Sequence, residues 1–289
     1  MQLPRIASTL LFLLIAPHFS VGQSQVQLPD KENFHLFLLT GQSNMAGRGK
    51  IEPEDLVPHP RILMLTEDRQ WVPAVAPIHF DKKVAGVGLA KSFALTLVEA
   101  DSNITIGLIP AACGGSPIET WEPGGYHMQT HRAPYDDAIS RAHTAMKDGV
   151  LKGILWHQGE SDSHPEKSRV YEKKLTSMIY RFREDLDQDD IPFIIGQLGK
   201  FPGKPWDADR KRVDEAHQSA ARRLDGVSFV SSEGLMPMED GIHFDSPSLR
   251  IFGRRYAEAF LHTNEEVEKE RGTLKRFHMS GFARKKKFD

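Results

Sequence analysis

The chain lacks a second cysteine: Cys113 is the only one, so no intrachain disulfide can form. Stability must therefore come from a packed core, and 289 residues are enough to build a substantial one. A lone cysteine is usually a small apolar filler, and Cys113 has no neighbouring histidine that would indicate a nucleophile. Neither a cysteine pair nor a two-histidine spacing predicts a zinc site, so we expect no metal and no cofactor.

A charge imbalance is also missing. Lysine and arginine total 37 against 39 acidic residues, which gives a formal net charge of −2. Domains that bind nucleic acid through their overall field carry an excess of positive charge, so we expect no nucleic-acid partner. The apolar share of 39% and the charged share of 26% are typical of an ordinary soluble globular protein.

Long hydrophobic runs are missing as well. The apolar run at residues 10–16 is too short to span a bilayer comfortably; it follows Arg5 and precedes the small residues Ser20 and Gly22. This order predicts a signal peptide over residues 1–22. The protein would then be secreted or periplasmic, with no stable membrane insertion after cleavage. An uncleaved anchor is the alternative.

Apolar runs and helical periodicities alternate along the rest of the chain. Strands are predicted over 34–40, 61–65, 104–109, 151–156, 191–198 and 227–230, and helices over 89–98, 133–147, 165–186, 209–224 and 246–261. The alternation indicates an α/β fold with a mostly parallel sheet in one domain, residues 23–262. The tail, 263–289, is acidic and then basic, which predicts a solvated helix extension or a disordered end. A surface for binding anionic polymers or membranes is the alternative.

Ser43 follows the first predicted strand in a turn of small and polar residues. Residues 34–39 are almost wholly apolar, which is typical of a strand buried on both faces of a parallel sheet. Gly41 and Gly47 permit tight backbone geometry on either side of the serine. Because open α/β sheets bind ligands at the carboxyl ends of their strands, we predict that Ser43 is a nucleophile. A turn-forming serine is the alternative.

Asp240 and His243 lie three residues apart in the loop before the last predicted helix. A serine hydroxyl needs a base to take its proton, and histidine suits that role near neutral pH. The spacing lets the carboxylate accept from the distal imidazole N–H and fix the tautomer. The alternative is an aspartate in a turn beside a structural histidine.

An acyl-transfer site also needs donors for the developing oxyanion. The backbone amides of Ser43 and Gly115 can supply them, because the glycine-containing loop has no side chain to block close approach. Gln158 can add its side-chain amide. The alternatives are a plain turn glycine at Gly115 and a hydrogen bond within its own loop for Gln158.

These residues lie in four blocks, each placed just after a predicted strand or before the last helix. The blocks are Gly41-Gln42-Ser43-Asn44-Met45, Gly114-Gly115-Ser116, Trp156-His157-Gln158-Gly159-Glu160-Ser161-Asp162 and Asp240-Gly241-Ile242-His243-Phe244. In this order they make the chain resemble the SGNH (GDSL-like) hydrolases over roughly residues 34–261. Within that superfamily the resemblance is to carbohydrate esterases of family six and sialate O-acetylesterase-like domains.

The resemblance implies a three-layer α/β/α sandwich with a flavodoxin-like central sheet. It implies that Ser43 is the nucleophile, His243 the base and Asp240 its support. It also implies oxyanion donors from the amides of Ser43 and Gly115 and from the side chain of Gln158. The wider superfamily has asparagine where this chain has Gln158, as expected of the carbohydrate-esterase branch.

Four further residues near these blocks have more than one interpretation. Trp121 follows the glycine loop, residues 110–117, and either stacks on a sugar ring or packs in the core. Glu160 and Asp162 are too close in sequence to form the paired carboxylates of a glycosidase, so we expect Glu160 to hold its own loop through backbone N–H groups. Asn44 is expected to hold the serine turn.

The sequence therefore predicts an exported serine esterase that removes O-acetyl groups from an oligo- or polysaccharide through an acyl-enzyme on Ser43. An acetylxylan esterase-like substrate is expected, with a sialate O-acetylesterase as the alternative. A non-catalytic carbohydrate-binding protein is the alternative from another class. The loops at 52–85 and 119–132 are expected to set the specificity.

Overall fold

The computed structural model describes residues 26–285, with side chains described for residues 26–270. The predicted signal peptide at 1–22 lies outside the described residues. Within 26–285, none of the helices combines the length and apolar character needed to cross a membrane.

A seven-stranded sheet forms the centre of the described chain. Its strands are β1 (Phe34–Gly41), β2 (Ile62–Leu65), β3 (Trp71–Pro73), β4 (Thr105–Pro110), β5 (Val150–His157), β6 (Phe193–Gly196) and β7 (Val227–Val230), in the order β3-β2-β4-β1-β5-β6-β7. All neighbouring pairs are parallel except β2 and β3. The α-helices are α1 (Ser43–Ala46), α2 (Ala90–Ala100), α3 (Pro134–Ala145), α4 (Pro165–Asp185), α5 (Ala208–Arg223) and α6 (Ser246–Lys285). The predicted α/β class with a mostly parallel sheet is confirmed.

Helices cover both faces of the sheet, which explains why β1 is apolar without alternation. Leu36 and Leu38 pack into a core with α3, α4 and α5, whereas Phe37 and Leu39 pack into a second core with α2 and α6. The sheet is therefore the middle layer of three, and each strand side chain is buried on one face or the other.

The strand order places a crevice beside β1. β1 and β5 are neighbours in the sheet. From β1 the chain continues to β2, on one side of this pair, and from β5 it continues to β6, on the opposite side. Open α/β sheets bind ligands where connections diverge in this way. In flavodoxin the first strand lies between the second and the third. Here β1 lies between β4 and β5, so the strand order differs from that of flavodoxin.

Three local expectations are corrected. The short strand β3 was not expected; it pairs antiparallel at the sheet edge. The apolar spacing of α4 predicts Val170 on the buried face, but Val170 is 46% exposed, and Tyr171 is buried in its place. The last helix does not end near residue 261 but continues to Lys285. The extra turns form because Thr263 and Val267 are buried, and the Thr263 hydroxyl lies in hydrogen-bonding contact with that of Ser228 in β7.

Candidate active site

Ser43 is held at the crevice by the tight turn that joins β1 to α1. Gly41 has φ +122°, and a Cβ there would lie 2.1 Å from the carbonyl oxygen of His157, so only glycine fits. The Gln42 amide donates to the same carbonyl at 2.8 Å, which fixes the turn against the end of β5. Ser43 itself is 8% exposed and begins α1.

His243 and Asp240 meet Ser43 although they are 200 and 197 positions further along the chain. The His243 Nε2 atom lies 2.9 Å from Ser43 Oγ, and its Nδ1 atom lies 2.6 Å from Asp240 Oδ2. The other oxygen, Asp240 Oδ1, accepts from the amides of Ile242 at 2.8 Å and His243 at 3.0 Å. The Asp240 carboxylate, the His243 imidazole and the Ser43 hydroxyl thus form a line of hydrogen-bonded groups.

The charge state of Asp240 determines the direction of the hydrogen bonds in this line. Partial burial acts to raise the pKa of Asp240, but the hydrogen bonds from the amide and side chain of His243 and from Ile242 outweigh it, and the pKa lies below the ordinary 3.8. An ionised carboxylate only accepts, so Nδ1 of His243 carries a hydrogen. In the neutral imidazole, Nε2 then accepts the Ser43 proton.

Asn44 connects the serine turn to the histidine loop. Its Nδ2 atom donates to Glu160 Oε1 at 2.7 Å and to the Ile242 carbonyl at 3.3 Å, and its Oδ1 atom accepts from the Phe244 amide at 3.1 Å. Asn44 therefore holds His243 in register with Ser43, a wider role than the predicted one.

The role expected of Glu160 is corrected in the same region. Its side chain accepts from Asn44 and does not bind the backbone amides of its own loop. Those amides, of Gly159 and Ser161, donate instead to Gln42 Oε1 at 3.4 and 3.3 Å. The side chain of Gln42, in the serine turn, therefore holds the loop after β5.

Two of the predicted oxyanion donors are backbone amides. Neither Ser43 N–H nor Gly115 N–H has an acceptor among the residues that the structure describes. Gly115 has φ +86°, a left-handed conformation that glycine adopts without strain. Both amides are available for the oxyanion of a tetrahedral intermediate.

The structure does not place the Gln158 side chain with these donors. Gln158 is fully buried, and its Nε2 atom donates to the Ser116 carbonyl at 3.0 Å and to Asp162 Oδ2 at 2.5 Å. Its Oε1 atom accepts from the Tyr171 hydroxyl at 2.8 Å. Both Nε2 hydrogens are therefore hydrogen-bonded, and Gln158 supports the glycine loop through the Ser116 carbonyl.

This bracing role gives Gln158→Ala a defined outcome. The change removes the buried hydrogen-bond partner of Ser116, Asp162 and Tyr171. We therefore expect the free energy of unfolding to fall by about 2–4 kcal/mol. Urea denaturation measures it, with Gln218→Ala as the matched control of smaller effect, because Gln218 is half-buried and its side chain, among the described residues, bonds to Asp214 alone. An unchanged unfolding free energy together with a hundredfold lower kcat would instead identify the amide as a direct oxyanion donor.

Trp121 cannot stack on a sugar in this structure. It is 1% exposed, its ring meets Trp156 edge-on at 5.1 Å, and its Nε1 atom donates to Ser116 Oγ at 2.9 Å. The substrate-binding interpretation is wrong, because a buried indole with a satisfied N–H is a core residue. Cys113 is likewise buried, and burial raises the pKa of its thiol to about 12, which leaves it unreactive.

Sequence reasoning missed polar side chains that border Gly115. Lys82 Nζ donates to Gln129 Oε1 at 3.1 Å, and a Cβ built on Gly115 would lie 3.1 Å from that oxygen and 3.8 Å from the ammonium. Burial and the nearby charge of Lys82 lower the pKa of His127, so this neighbouring ring stays neutral. Lys82 and Gln129 belong to the two loops expected to set specificity, but the sequence pattern did not single them out.

The match with known proteins spans the part of the chain that holds all four blocks. Residues 33–262 match the family described as carbohydrate esterase, sialic acid-specific acetylesterase. A probable carbohydrate esterase of Arabidopsis thaliana is 32% identical over 262 residues, which cover 82% of this chain and 94% of the relative. The resemblance stated from the sequence motifs is thereby confirmed.

Solved structures show the same fold. The crystal structure of the Arabidopsis thaliana protein, at 1.6 Å resolution, superimposes with a TM-score of 0.70 and 30% identity over 80% of this chain and 98% of its own. The crystal structure of NanS gives a TM-score of 0.66 at 20% identity and covers 83% of this chain and 100% of its own. At that lower identity the likeness concerns the fold alone.

Proposed function

The chain belongs to the carbohydrate esterase family of sialic acid-specific acetylesterases, and from this premise we propose that it is a serine esterase which hydrolyses O-acetyl groups on carbohydrate. The observation that carries the proposal is the line from Asp240 through His243 to Ser43, at 2.6 and 2.9 Å, beside two free amides. A hydroxyl, a base, an orienting carboxylate and oxyanion donors are what acyl transfer requires.

In the first half-reaction, Ser43 Oγ attacks the acetyl carbon while its proton passes to His243 Nε2. The carbonyl electron pair moves to oxygen, and the amides of Ser43 and Gly115 bind the resulting negative charge. The intermediate collapses and expels the sugar oxygen, which takes the proton from His243. The acetyl group remains on Ser43 as an ester.

In the second half-reaction, His243 takes a proton from water, and the hydroxide oxygen attacks the acetyl carbon. The new intermediate collapses, the proton returns to Ser43 Oγ, and acetate leaves. Asp240 stabilises the imidazolium at both stages without being protonated itself.

A specific observation favours an acidic sugar over a neutral one. Acetylxylan and an O-acetylated sialic acid offer the same ester to Ser43, but only the second carries a carboxylate. The ammonium of Lys82 lies beside Gly115, and we propose that it binds the carboxylate of an acidic substrate whose ester is held at Ser43. A charged hydrogen bond there stabilises an acidic substrate by about 1.5–3 kcal/mol. The sialic acid named in the family description is consistent with this preference.

The proposal is tested by measuring acetate release from a panel of acetylated neutral and acidic saccharides. We expect hydrolysis of acetylated sugars, and Lys82→Met is expected to raise KM for acidic members roughly tenfold while KM for neutral members changes little. An equal effect on both groups would contradict the preference for an acidic sugar. Saccharide binding without acetate release from any member would instead support the non-catalytic carbohydrate-binding alternative.

Export remains part of this proposal. The signal-like pattern at residues 1–22 supports a secreted or periplasmic enzyme acting on sugars outside the cytoplasm. N-terminal sequencing of the mature protein from its native host tests this proposal. A mature protein that still contains residues 1–22 would contradict cleavage of the signal peptide.

A further inference from the structure

An ion pair between Arg48 and Asp81 lies directly against the glycine loop at Gly114. Arg48 Nη2 lies 2.7 Å from Asp81 Oδ2, and the two side chains are 7% and 1% exposed. The same Oδ2 atom accepts from the Gly114 amide at 2.8 Å. A Cβ on Gly114 would lie 2.3 Å from Arg48 Nη2 and 2.6 Å from Asp81 Oδ2, so the loop rests on the pair without a gap.

The pair is also connected to the serine turn. Arg48 Nη1 donates to the Gly47 carbonyl at 2.7 Å, and the Gly47 amide donates to the Ser43 carbonyl at 2.8 Å. A chain of hydrogen bonds therefore runs from Ser43, through Gly47 and Arg48, to Asp81. At its far end, Asp81 accepts from the loop that carries Gly115.

The contacts leave one peptide group of the loop unanchored and fix those on both sides of it. Asp81 fixes the peptide group that contains the Gly114 amide. On the other side, Ser161 Oγ donates to the Gly115 carbonyl at 2.9 Å. The peptide group between them contains Gly115 N–H, which has no acceptor among the described residues. Its direction is set by the anchored groups on either side.

We propose that Arg48 and Asp81 are positioning residues that aim the Gly115 amide, relative to Ser43, at the oxyanion of the transition state. Arg48 also neutralises the Asp81 carboxylate, whose bare negative charge behind the loop would oppose an oxyanion in front of it. The inference rests on the proposed esterase function and assigns neither residue any contact with the substrate.

Aiming a donor affects turnover more than substrate binding, because the oxyanion exists only in the transition state. Asp81→Asn replaces one of the two oxygens that face Arg48 with an NH₂ group, which cannot accept from the guanidinium, so the side chain that holds Gly114 loses its own anchor. We expect kcat to fall roughly ten- to a hundredfold with KM within about threefold of wild type. Arg48→Lys keeps the positive charge but cannot bind Asp81 and the Gly47 carbonyl through two separate nitrogens. It should therefore retain more activity than Arg48→Met, which loses the charge as well.

A boronic acid that forms a tetrahedral adduct on Ser43 provides a second readout. Its affinity should weaken by about the same factor as kcat/KM in Asp81→Asn and Arg48→Met, whereas inhibition by the product acetate should stay the same. Asp209→Asn is the matched control, because it breaks the Arg212–Asp209 ion pair in α5, which lies outside the glycine loop and both specificity loops. We expect this control to lower the melting temperature and leave kcat unchanged.

Wild-type kcat and boronate affinity in Asp81→Asn and Arg48→Met would overturn the inference while leaving the proposed function intact. A loss of kcat that the Asp209→Asn control matches at equal loss of stability would also overturn it. Wild-type protein without esterase activity would instead overturn the proposed function, and this inference with it. If Asp81→Asn does not fold, the comparison of Arg48→Lys with Arg48→Met decides the question: equal kcat values in these two variants count against the inference.

Discussion

Ser43→Ala is expected to lower kcat for a small acetyl ester by about 10⁴- to 10⁶-fold, since no other group in the line can form the acyl-enzyme. The Ser43 hydroxyl is hydrogen-bonded only to His243 among the described residues, so the unfolding free energy should change by less than about 1 kcal/mol. Initial rates of acetate release and urea denaturation of the same preparations measure the two quantities.

A matched control for this variant is Ser92→Ala. Ser92 is as buried as Ser43, at 8% exposure, but it lies in α2 and its hydroxyl donates to the carbonyl of Leu89, the residue before that helix. We expect it to keep wild-type turnover. If Ser43→Ala retained more than about a tenth of wild-type kcat, Ser43 would not be the nucleophile.

Asp240→Asn is expected to lower kcat by about 10³- to 10⁴-fold, which is the second-largest effect. The asparagine oxygen can still accept from the amides of Ile242 and His243, so the turn is kept. Its NH₂ group, however, faces His243 Nδ1 and requires that atom to accept. The hydrogen then moves to Nε2, which donates to Ser43 Oγ and can no longer take its proton.

Steady-state kinetics and thermal unfolding of Asp240→Asn test this effect on the tautomer. Because the pKa of Asp240 lies below 3.8, the wild-type carboxylate is ionised at pH 5 to 8, and the difference from Asp240→Asn should persist across that range. Asp240→Ala, which also removes the turn contacts, should lose stability that Asp240→Asn keeps. Turnover of Asp240→Asn within tenfold of wild type would refute the orienting role.

The sequence was sufficient to predict the strands and the loops that carry the site. Unbroken apolar runs such as 34–39 identify strands buried on both faces, and parallel strands bring their carboxyl ends to one edge. Ser43 and Gly115 were therefore expected at that edge. The Asp240–His243 pair was predicted because its spacing is local, so it did not depend on the rest of the fold.

The direction of the Gln158 side chain could not be predicted. Its partners Ser116 and Tyr171 lie 42 and 13 positions away, and an amide suits an oxyanion and a buried network equally well. Burial of Trp121 had the same ambiguity, because large aromatic residues are common in cores and in sugar sites.

Arg48 and Asp81 were not distinguished in the sequence for a similar reason. They lie 33 positions apart in segments without periodicity, and only the fold brings them together behind the glycine loop. Contacts between loops decide how donors are aimed, and hydrophobic patterns carry no information about them.

The mechanism, the substrate preference and the positioning roles of Arg48 and Asp81 all depend on Ser43 being the nucleophile of a carbohydrate acetylesterase. The most direct test of this assignment is to treat the wild-type protein with a phosphonate probe for activated serines, map the modified residue by mass spectrometry, and follow acetate release from an acetylated saccharide in the same samples. We expect the probe to modify Ser43 and acetate release to fall in proportion to the modified fraction. Modification of another residue in its place, or full acetate release from protein modified at Ser43, would contradict the assignment.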